Sequence, residues 1–469
     1  MASGIARLAS IAVLLAPACA IKLKDVNDPL DNGGVTGAPA DCSAIQVLPK
    51  GAPDTGPAGP LLVGRFDLTD PMNPVFDWPG TYIEARFQGP AVTLHLESFA
   101  NSISDPKPVV FAASLDGADP IFFTVEPPKL PQYPNLDYPV VTNANPSVAH
   151  VVRVQRESEA VQGPVRFRGL DVPGGTLLPP IARPRRMEII GDSITCGYGD
   201  RGADATCPFD VPDTAPNGNG QNVPVSESNY LAYGSIAARE LDADLVTLCF
   251  SGKGVYINYT EANVLESAQK LAMLPPDDPI NLDSKTTITG AFPTDPSDPN
   301  YEPGDPKPRL AYYQRTLGNG AGTNVATWDF SKEPEPQVVV INIGTNDFAR
   351  DTNQDSVPDG TINEGTFQTD YEAFVSFVRS KRPDAHIFLA LPPMVTDKFP
   401  LDNTRSDMRR ILNAIVSDLN GKGDPKVYFI ELVQMGTRYG LGCDYHPNLT
   451  VHQIMADQVA GAIRTKTCW

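Results

Sequence analysis

Four positions from residue 193 onward carry residue types that could together transfer an acyl group. Ser193 lies in "MEIIGDSITCGYGD", Gly252 in "SGKGVY", Asn346 in "GTND" and His446 in "CDYHPN". A serine hydroxyl is a poor nucleophile until a base takes its proton, and the imidazole of His446 could do so at neutral pH. The tetrahedral intermediate needs donors aimed at its oxyanion; the N–H groups of Ser193 and Gly252 and the amide of Asn346 could supply three. Singly, each position has a plainer reading. Gly-Asp-Ser is ordinary turn chemistry, Gly252 permits a turn, and Asn346 with Asp347 caps a helix. A lone histidine such as His95, His150 or His386 is a packing residue, and His452 lies within a helical pattern, facing solvent or packed.

Their common setting favours chemistry. "MEII", "ADLVTLCF", "PQVVVINIG", "AHIFLALP" and "KVYFIEL" are nearly continuous apolar runs, as expected of parallel strands buried on both faces. Helical patterns separate or follow them at Asn229 to Leu241, Tyr371 to Arg382, Asp407 to Asn420 and Val451 to Arg464. This is a doubly wound, flavodoxin-like α/β domain, and polar groups following four of its strands converge on one crevice at their C-terminal ends.

The preceding region has a different rhythm. "YIEARF", "AVTLHLESF", "PVVFAASLDG", "IFFTV", "AHVVRVQRES" and "VRFRGLDV" read as short strands separated by Gly, Pro, Asp and Asn, the pattern of an all-β sandwich or jelly roll. "PPIARPRR" marks the boundary. The expected organisation is a signal segment at 1–20, a linker at 21–60, a β-sandwich at 61–182 and the α/β domain at 183–469. A Pro- and Asp-rich surface insertion with little regular structure is expected at 275–308.

With 469 residues and 41% hydrophobic content, the chain is long enough for two cores. Its formal charge of −19 argues against nucleic acid or an anionic membrane as partner and leaves neutral ligands such as sugars open. The opening "MASGIARLASIAVLLAPACA" reads as an export signal too short to span a bilayer. Two processing routes are open: cleavage after the small residues, or a lipobox that would anchor a lipid at Cys19, with 25–39 as tether. Without Cys19, six cysteines remain, an even set suited to disulfides with fifteen pairings. Cys196 with Cys207, closing a short loop beside Ser193, is the one pairing named here. Cys249, in an apolar run, reads as a buried thiol.

The second domain resembles the SGNH hydrolases, the GDSL-type esterase superfamily, whose block residues map to Ser193, Gly252, Asn346 and His446. More narrowly, "IIGDSITCGYG", "SNYLAYGSIAARELDADLV", "SGKGVYINY", "INIGTNDF" and "DYHPN" resemble carbohydrate esterase family two. The stretch "GRFDLTDPMNPVFDWPGTYIEARFQG" resembles the start of that family's jelly-roll domain. The resemblance implies removal of O-acetyl groups from a polysaccharide or oligosaccharide, with no cofactor. Tyr256, Trp328 and Tyr445 are candidates for stacking on sugar rings, although packing would explain them equally.

The chain departs from the family pattern: Tyr445 stands where family two often has Trp, the insertion at 275–308 is expected near the site, and the carboxylate before the histidine is displaced. An Asp usually stands three residues before the histidine; here that position is Cys443, and Asp444 stands two before. Asp444 is nevertheless expected to reach the N–H of His446 as third catalytic member, with a backbone carbonyl as the alternative. Competing readings are a lipid or other ester hydrolase on the same scaffold and a non-catalytic surface carbohydrate-binding protein. Finally, Asp351, Asn353, Asp355 and Asp359 occupy oxygen-ligand positions of a calcium loop, but Ser356 and Ile362 replace the usual Gly and Glu, so a solvated acidic loop explains them as well.

Overall fold

A computed structural model describes residues 34–43, 48–98, 107–127, 136–212, 222–259, 286–290, 311–319, 326–349, 362–436 and 438–469. The chain first builds two antiparallel sheets from β1 (Tyr82–Gln88), β2 (Val92–Ser98), β3 (Val109–Leu115), β4 (Ile121–Val125), β5 (Asp137–Val141), β6 (Ala149–Arg156) and β7 (Val165–Asp171). One sheet has the order Val75–Phe76, β7, β2, β5. The other runs Thr176–Leu177, β1, β6, β3, β4, with Leu61–Val63 also paired to β1. Alternation along β2, where Val92, Leu94 and Leu96 are buried, turns one face inward to a core shared with Phe76, Phe87, Phe111 and Val154.

The parallel sheet comprises β8 (Arg186–Gly191), β9 (Asp244–Cys249), β10 (Val338–Asn342), β11 (His386–Leu391) and β12 (Val427–Glu431), in the order β9-β8-β10-β11-β12. Period-two alternation sends Ile189, Val338 and Val340 to one apolar cluster and Ile190, Val339 and Ile341 to another. Both faces are therefore buried, which explains the unbroken apolar runs. The first face packs on α2 (Tyr233–Glu240) and α6 (Leu449–Thr467), the second on α4 (Glu364–Lys381) and α5 (Thr404–Gly421). Two one-turn helices, α1 (Ser193–Cys196) and α3 (Thr345–Phe348), follow β8 and β10 directly.

Two stretches depart from expectation. The part of the linker at 34–43 docks against the α/β domain: Val35 bridges Ile430, the Thr36 N–H donates to the Phe429 carbonyl at 3.0 Å, and Lys466 donates to the carbonyls of Gly37 and Ala38. The open edge of β12 offers unpaired backbone groups, which this segment satisfies. In the Pro-rich insertion, residues 286–290 enter the interior: Ile288 is buried, and its N–H donates to the Gly254 carbonyl at 3.2 Å. This short stretch lacks Pro and carries Thr and Ile, so it can pair its backbone and pack. The rest of the insertion, the 1–33 segment with Cys19, and Asp351, Asn353, Asp355 and Asp359 lie outside the described residues.

The β-sandwich reaches deep into its neighbour. Buried Arg65 donates to the carbonyls of Tyr313 and Arg315 at 2.5 and 2.8 Å and lies 3.5 Å from Glu188, which Arg382 also holds at 2.9 Å. The buried carboxylate of Asp77 accepts the N–H groups of Gly318 and Asn319, each at 2.8 Å. Trp78 packs in the α/β core and donates to the Thr316 carbonyl at 3.1 Å. Buried charges persist only when paired, so these contacts fix the two domains and the 311–319 loop between them.

Candidate active site

Ser193 opens α1 at the end of β8. Asp192 caps that helix, its carboxylate accepting the Ile194 N–H at 3.1 Å. Gly191 is required by space, since a Cβ there would lie 2.0 Å from the Thr195 hydroxyl and 2.6 Å from the Asn342 carbonyl. Close packing, rather than an unusual turn, is what the glycine of the Gly-Asp-Ser stretch provides.

Opposite Ser193 stands half-buried His446, whose Nε2 lies 2.9 Å from the serine Oγ. Its Nδ1 lies 2.9 Å from the backbone carbonyl oxygen of Asp444. A carbonyl only accepts, so the ring proton resides on Nδ1 and Nε2 is free to accept from the serine hydroxyl. Burial holds the imidazole below its ordinary pKa, against a smaller upward pull from the Asp444 carbonyl and carboxylate. The ring is thus neutral, as a base must be, at neutral pH.

The expected contact between the Asp444 carboxylate and His446 is replaced by this main-chain one. Asp444 and Tyr445 both adopt left-handed backbone conformations, φ 49° and 59°, and the turn presents the Asp444 carbonyl to the ring. The carboxylate instead accepts from the Tyr198 hydroxyl at 2.8 Å. Tyr198 stacks on Phe209 with centroids 3.9 Å apart and lies 4.5 Å from the His446 ring centroid.

The other two loops meet beside Ser193. Gly252 follows β9 with φ 74°, a conformation glycine adopts without strain. The Asn346 amide donates to the Lys253 carbonyl at 2.9 Å and lies 3.4 Å from the Asp192 carboxylate, tying the three loops together. Neighbouring Asp347 accepts the N–H groups of Val255, Tyr256 and Ile257 at 2.8, 2.9 and 3.0 Å. Burial raises the carboxyls of both Asp192 and Asp347 to about 7. The plainer reading of Asn346 with Asp347 as a helix cap is corrected, since both lie inside α3, whose N-cap is Gly344. Asp192 and Tyr198 carry no role in the sequence reading, although Asp192 and Asp347 each stand next to a block residue, a signal that could mark them.

Of the aromatic candidates, Tyr445 is 63% exposed beside His446. Tyr256 is buried in the α/β core, and its hydroxyl accepts the Asn363 N–H at 3.0 Å, so its ring has no open face for a sugar. Trp328 lies half-buried with Arg65 over its ring, 5.3 Å from the centroid, at the domain seam. His452 is fully buried and accepts the Tyr233 N–H at 3.1 Å; it is a packing residue, not a solvent-facing one.

The disulfides are Cys196–Cys249, Cys207–Cys443 and Cys42–Cys468, so the expected Cys196–Cys207 bond is corrected. Sheet register gives the reason. Gly191 pairs with Cys249 across β8 and β9, which sets the end of α1 against Cys249, while Cys207 lies against the loop carrying His446. Cys249 is therefore a crosslinking residue rather than a buried thiol.

A serine and a histidine in hydrogen-bond contact, carried on loops that follow strands of a doubly wound domain, place that domain in the SGNH class of hydrolases, and the β-sandwich is docked on it. Residues 62–180 match the family described as "Carbohydrate esterase 2 N-terminal", and residues 311–454 match the "GDSL-like Lipase/Acylhydrolase family". The chain belongs to carbohydrate esterase family two. A solved family two carbohydrate esterase from Clostridium thermocellum, in complex with cellohexaose, is 30% identical; the match covers 87% of this chain and 98% of that one with a TM-score of 0.63. The cellulase/esterase CelE of Acetivibrio thermocellus is 32% identical over 419 residues, 89% of this chain; the chain spans only 40% of that relative's length. An acetylxylan esterase / glucomannan deacetylase of Cellvibrio japonicus is 24% identical over 87% of this chain and 91% of its own length. Among the described residues no helix is long and apolar enough to cross a membrane.

Proposed function

We propose that this protein is an exported serine esterase that removes O-acetyl groups from a polysaccharide or oligosaccharide. The observation that carries the reading is the 2.9 Å contact between Ser193 Oγ and His446 Nε2, with the ring oriented from its other nitrogen. Ser193 attacks the acetyl carbonyl carbon as its proton passes to His446. The N–H groups of Ser193 and Gly252 receive the negative charge on the carbonyl oxygen, and the Asn346 amide joins them by giving up its long 3.4 Å contact with Asp192. Collapse expels the sugar alkoxide, which takes the proton from His446 and leaves an acetyl-enzyme. Water, giving its proton to His446, attacks that ester; the acyl–oxygen bond breaks, Ser193 Oγ takes the proton back from His446, and acetate is released. All bonds are exchanged between ester, water and protein side chains.

The sugar part of the reading rests on the relatives named above and on exposed Tyr445, which offers a stacking face beside the base. Export is supported by the N-terminal apolar segment and by the three disulfides, which persist in oxidising compartments. The test is acetate release from acetylated xylan and glucomannan, alongside aryl acetate and aryl octanoate. Acetate esters should be cleaved much faster than octanoate esters, and Ser193→Ala should lose at least about ten-thousandfold in kcat while melting like the parent. Full activity in a folded Ser193→Ala protein would remove the serine mechanism, and a preference for octanoate would favour a lipid hydrolase.

A further inference from the structure

The nucleophile, the base and the oxyanion donors all belong to the α/β domain, yet one carboxylate that grips an oxyanion loop comes from the β-sandwich. Glu159 lies between β6 and β7, immediately before the 3-10 turn Ala160–Gln162. It is 4% exposed. Its carboxylate accepts the Ser251 N–H at 2.7 Å and, through its second oxygen, the Ser251 hydroxyl. Ser251 is the residue before Gly252, so both bonds act on the segment leading into the peptide whose N–H is assigned to the oxyanion.

The surroundings show that this contact is built in. Buried Glu227 accepts the Glu159 N–H at 3.4 Å, and a carboxylate oxygen from each of the two glutamates lies within 4.8 Å of Cys196 Sγ at the end of the nucleophile helix. That sulfur is bonded to Cys249, so this grouping offers no thiolate to a metal. Burial raises both carboxyls, and Glu227 rises well above its usual range because it also faces the charge of Glu159. The Ser251 hydrogen bonds pull Glu159 the other way, leaving it the better acceptor of the pair. A carboxylate bound to an N–H and an O–H of one residue leaves that residue little freedom to rotate. Without it, the N-terminal side of the Gly252 peptide would lose this restraint, while its C-terminal side keeps the Tyr259 N–H on the Gly252 carbonyl at 2.8 Å and the Asn346 amide on the Lys253 carbonyl. The left-handed Gly252 does not itself hold the N-terminal side, since glycine is the most permissive residue.

We propose that Glu159 of the β-sandwich is a positioning residue for the esterase reaction, clamping Ser251 so that the Gly252 N–H faces the developing oxyanion. This rests on the function proposed above. The two-domain architecture then has a catalytic reason: the α/β domain carries the reacting groups, and the sandwich supplies a restraint on one of them.

The experiment compares the full-length protein with Glu159→Gln, Ser251→Ala and the double variant, measuring kcat and KM on an aryl acetate. It also measures inhibition by phenylboronic acid, whose tetrahedral adduct with Ser193 presents an oxyanion-like oxygen. Glu159→Gln should lower kcat about 10- to 100-fold, below or near the cost of deleting an oxyanion donor outright, with KM within about threefold. Boronate affinity should fall by a similar factor, which damage to substrate binding alone would not produce. Ser251→Ala should cost about three- to tenfold, and the double variant should be no slower than Glu159→Gln, because Ser251→Ala removes only the hydroxyl bond to the same carboxylate that Glu159→Gln already replaces. A folded Glu159→Gln protein with kcat within about twofold of the parent, or losses that multiply in the double variant, would overturn the proposal. Should Glu159→Gln not fold, Ser251→Ala decides: an unchanged kcat and boronate affinity overturn it. Absence of acetate hydrolysis by the parent protein would instead be a failure of the esterase reading, and would take this inference with it.

Discussion

The two residues proposed to react, Ser193 and His446, are seated in different ways. Ser193 is 7% exposed, capped by a fully buried Asp192, and backed by the packed end of a sheet in which Gly191 has no room for a methyl group. His446 sits half-buried on a loop whose residues Asp444 and Tyr445 are exposed and left-handed. That loop is held from outside: Cys443 is bonded to Cys207, its N–H donates to the Gly199 carbonyl at 3.0 Å, and the Asp444 N–H donates to the Ala205 carbonyl at 3.2 Å. Ser193, the proposed nucleophile, is thus placed by the core, and His446, the proposed base, by a crosslink and main-chain hydrogen bonds. Damage on the nucleophile's side should appear as lost stability, and damage on the base's side as lost rate.

The two disulfides next to the site give the largest contrast. Replacing Cys207 and Cys443 by Ser frees the loop that carries the Asp444 carbonyl, and kcat on an aryl acetate should fall about 10- to 100-fold, the scale of a misplaced catalytic group. Replacing Cys196 and Cys249 removes a crosslink of sequence separation 53 between elements that the sheet already packs together. That pair should lose about 2–4 kcal/mol of stability while keeping kcat within about threefold. Thermal melts and steady-state rates on the two double variants check both statements. Equal effects on rate would erase the distinction between the seats.

These pairings show where the sequence stopped being legible. The fold class could be read because apolar runs are local patterns, and β8 to β12 follow those runs closely. Strand-end residues are local too, and the structure joins the loops of Ser193 and His446 and those of Asn346, Asp192 and Lys253. Six cysteines admit many pairings, and the choice depends on sheet register, such as Gly191 opposite Cys249, which no local pattern encodes. Tyr256 was offered as a sugar contact because an aromatic beside a block residue looks the same whether its ring faces solvent or the core. Glu159, Arg65 and Asp77 carry no motif; they matter only because one domain docks on the other. Asp444 was assigned by residue type, whereas the loop's left-handed turn presents its carbonyl instead.

A smaller effect concerns pH. His446 must be neutral to take the serine proton, and burial keeps its pKa below 6.5. The acid limb of kcat/KM should therefore have its midpoint below pH 6.5, with activity lost as pH falls through it. Removing the Asp444 charge takes away an upward pull on the imidazole, so the limb should move to still lower pH in Asp444→Asn. A pH–rate profile of both proteins reads this directly; a midpoint well above 6.5 would mean that a carboxylate, not burial, governs the ring.

The smallest effect is the most decisive. In a serine protease triad the carboxylate fixes the imidazole and stabilises its charged form, and changing that Asp to Asn costs about ten-thousandfold in kcat. Here the Asp444 carbonyl holds Nδ1 at 2.9 Å while the carboxylate is engaged by Tyr198. The central claim is a Ser193–His446 dyad oriented by the main chain, and the measurement that tests it is kcat of Asp444→Asn on an aryl acetate, with folding checked by thermal melting. A loss of less than about tenfold is the predicted result, because the orienting carbonyl survives the substitution. A loss of about a thousandfold or more in a folded protein would contradict the dyad and return the carboxylate to the catalytic machinery.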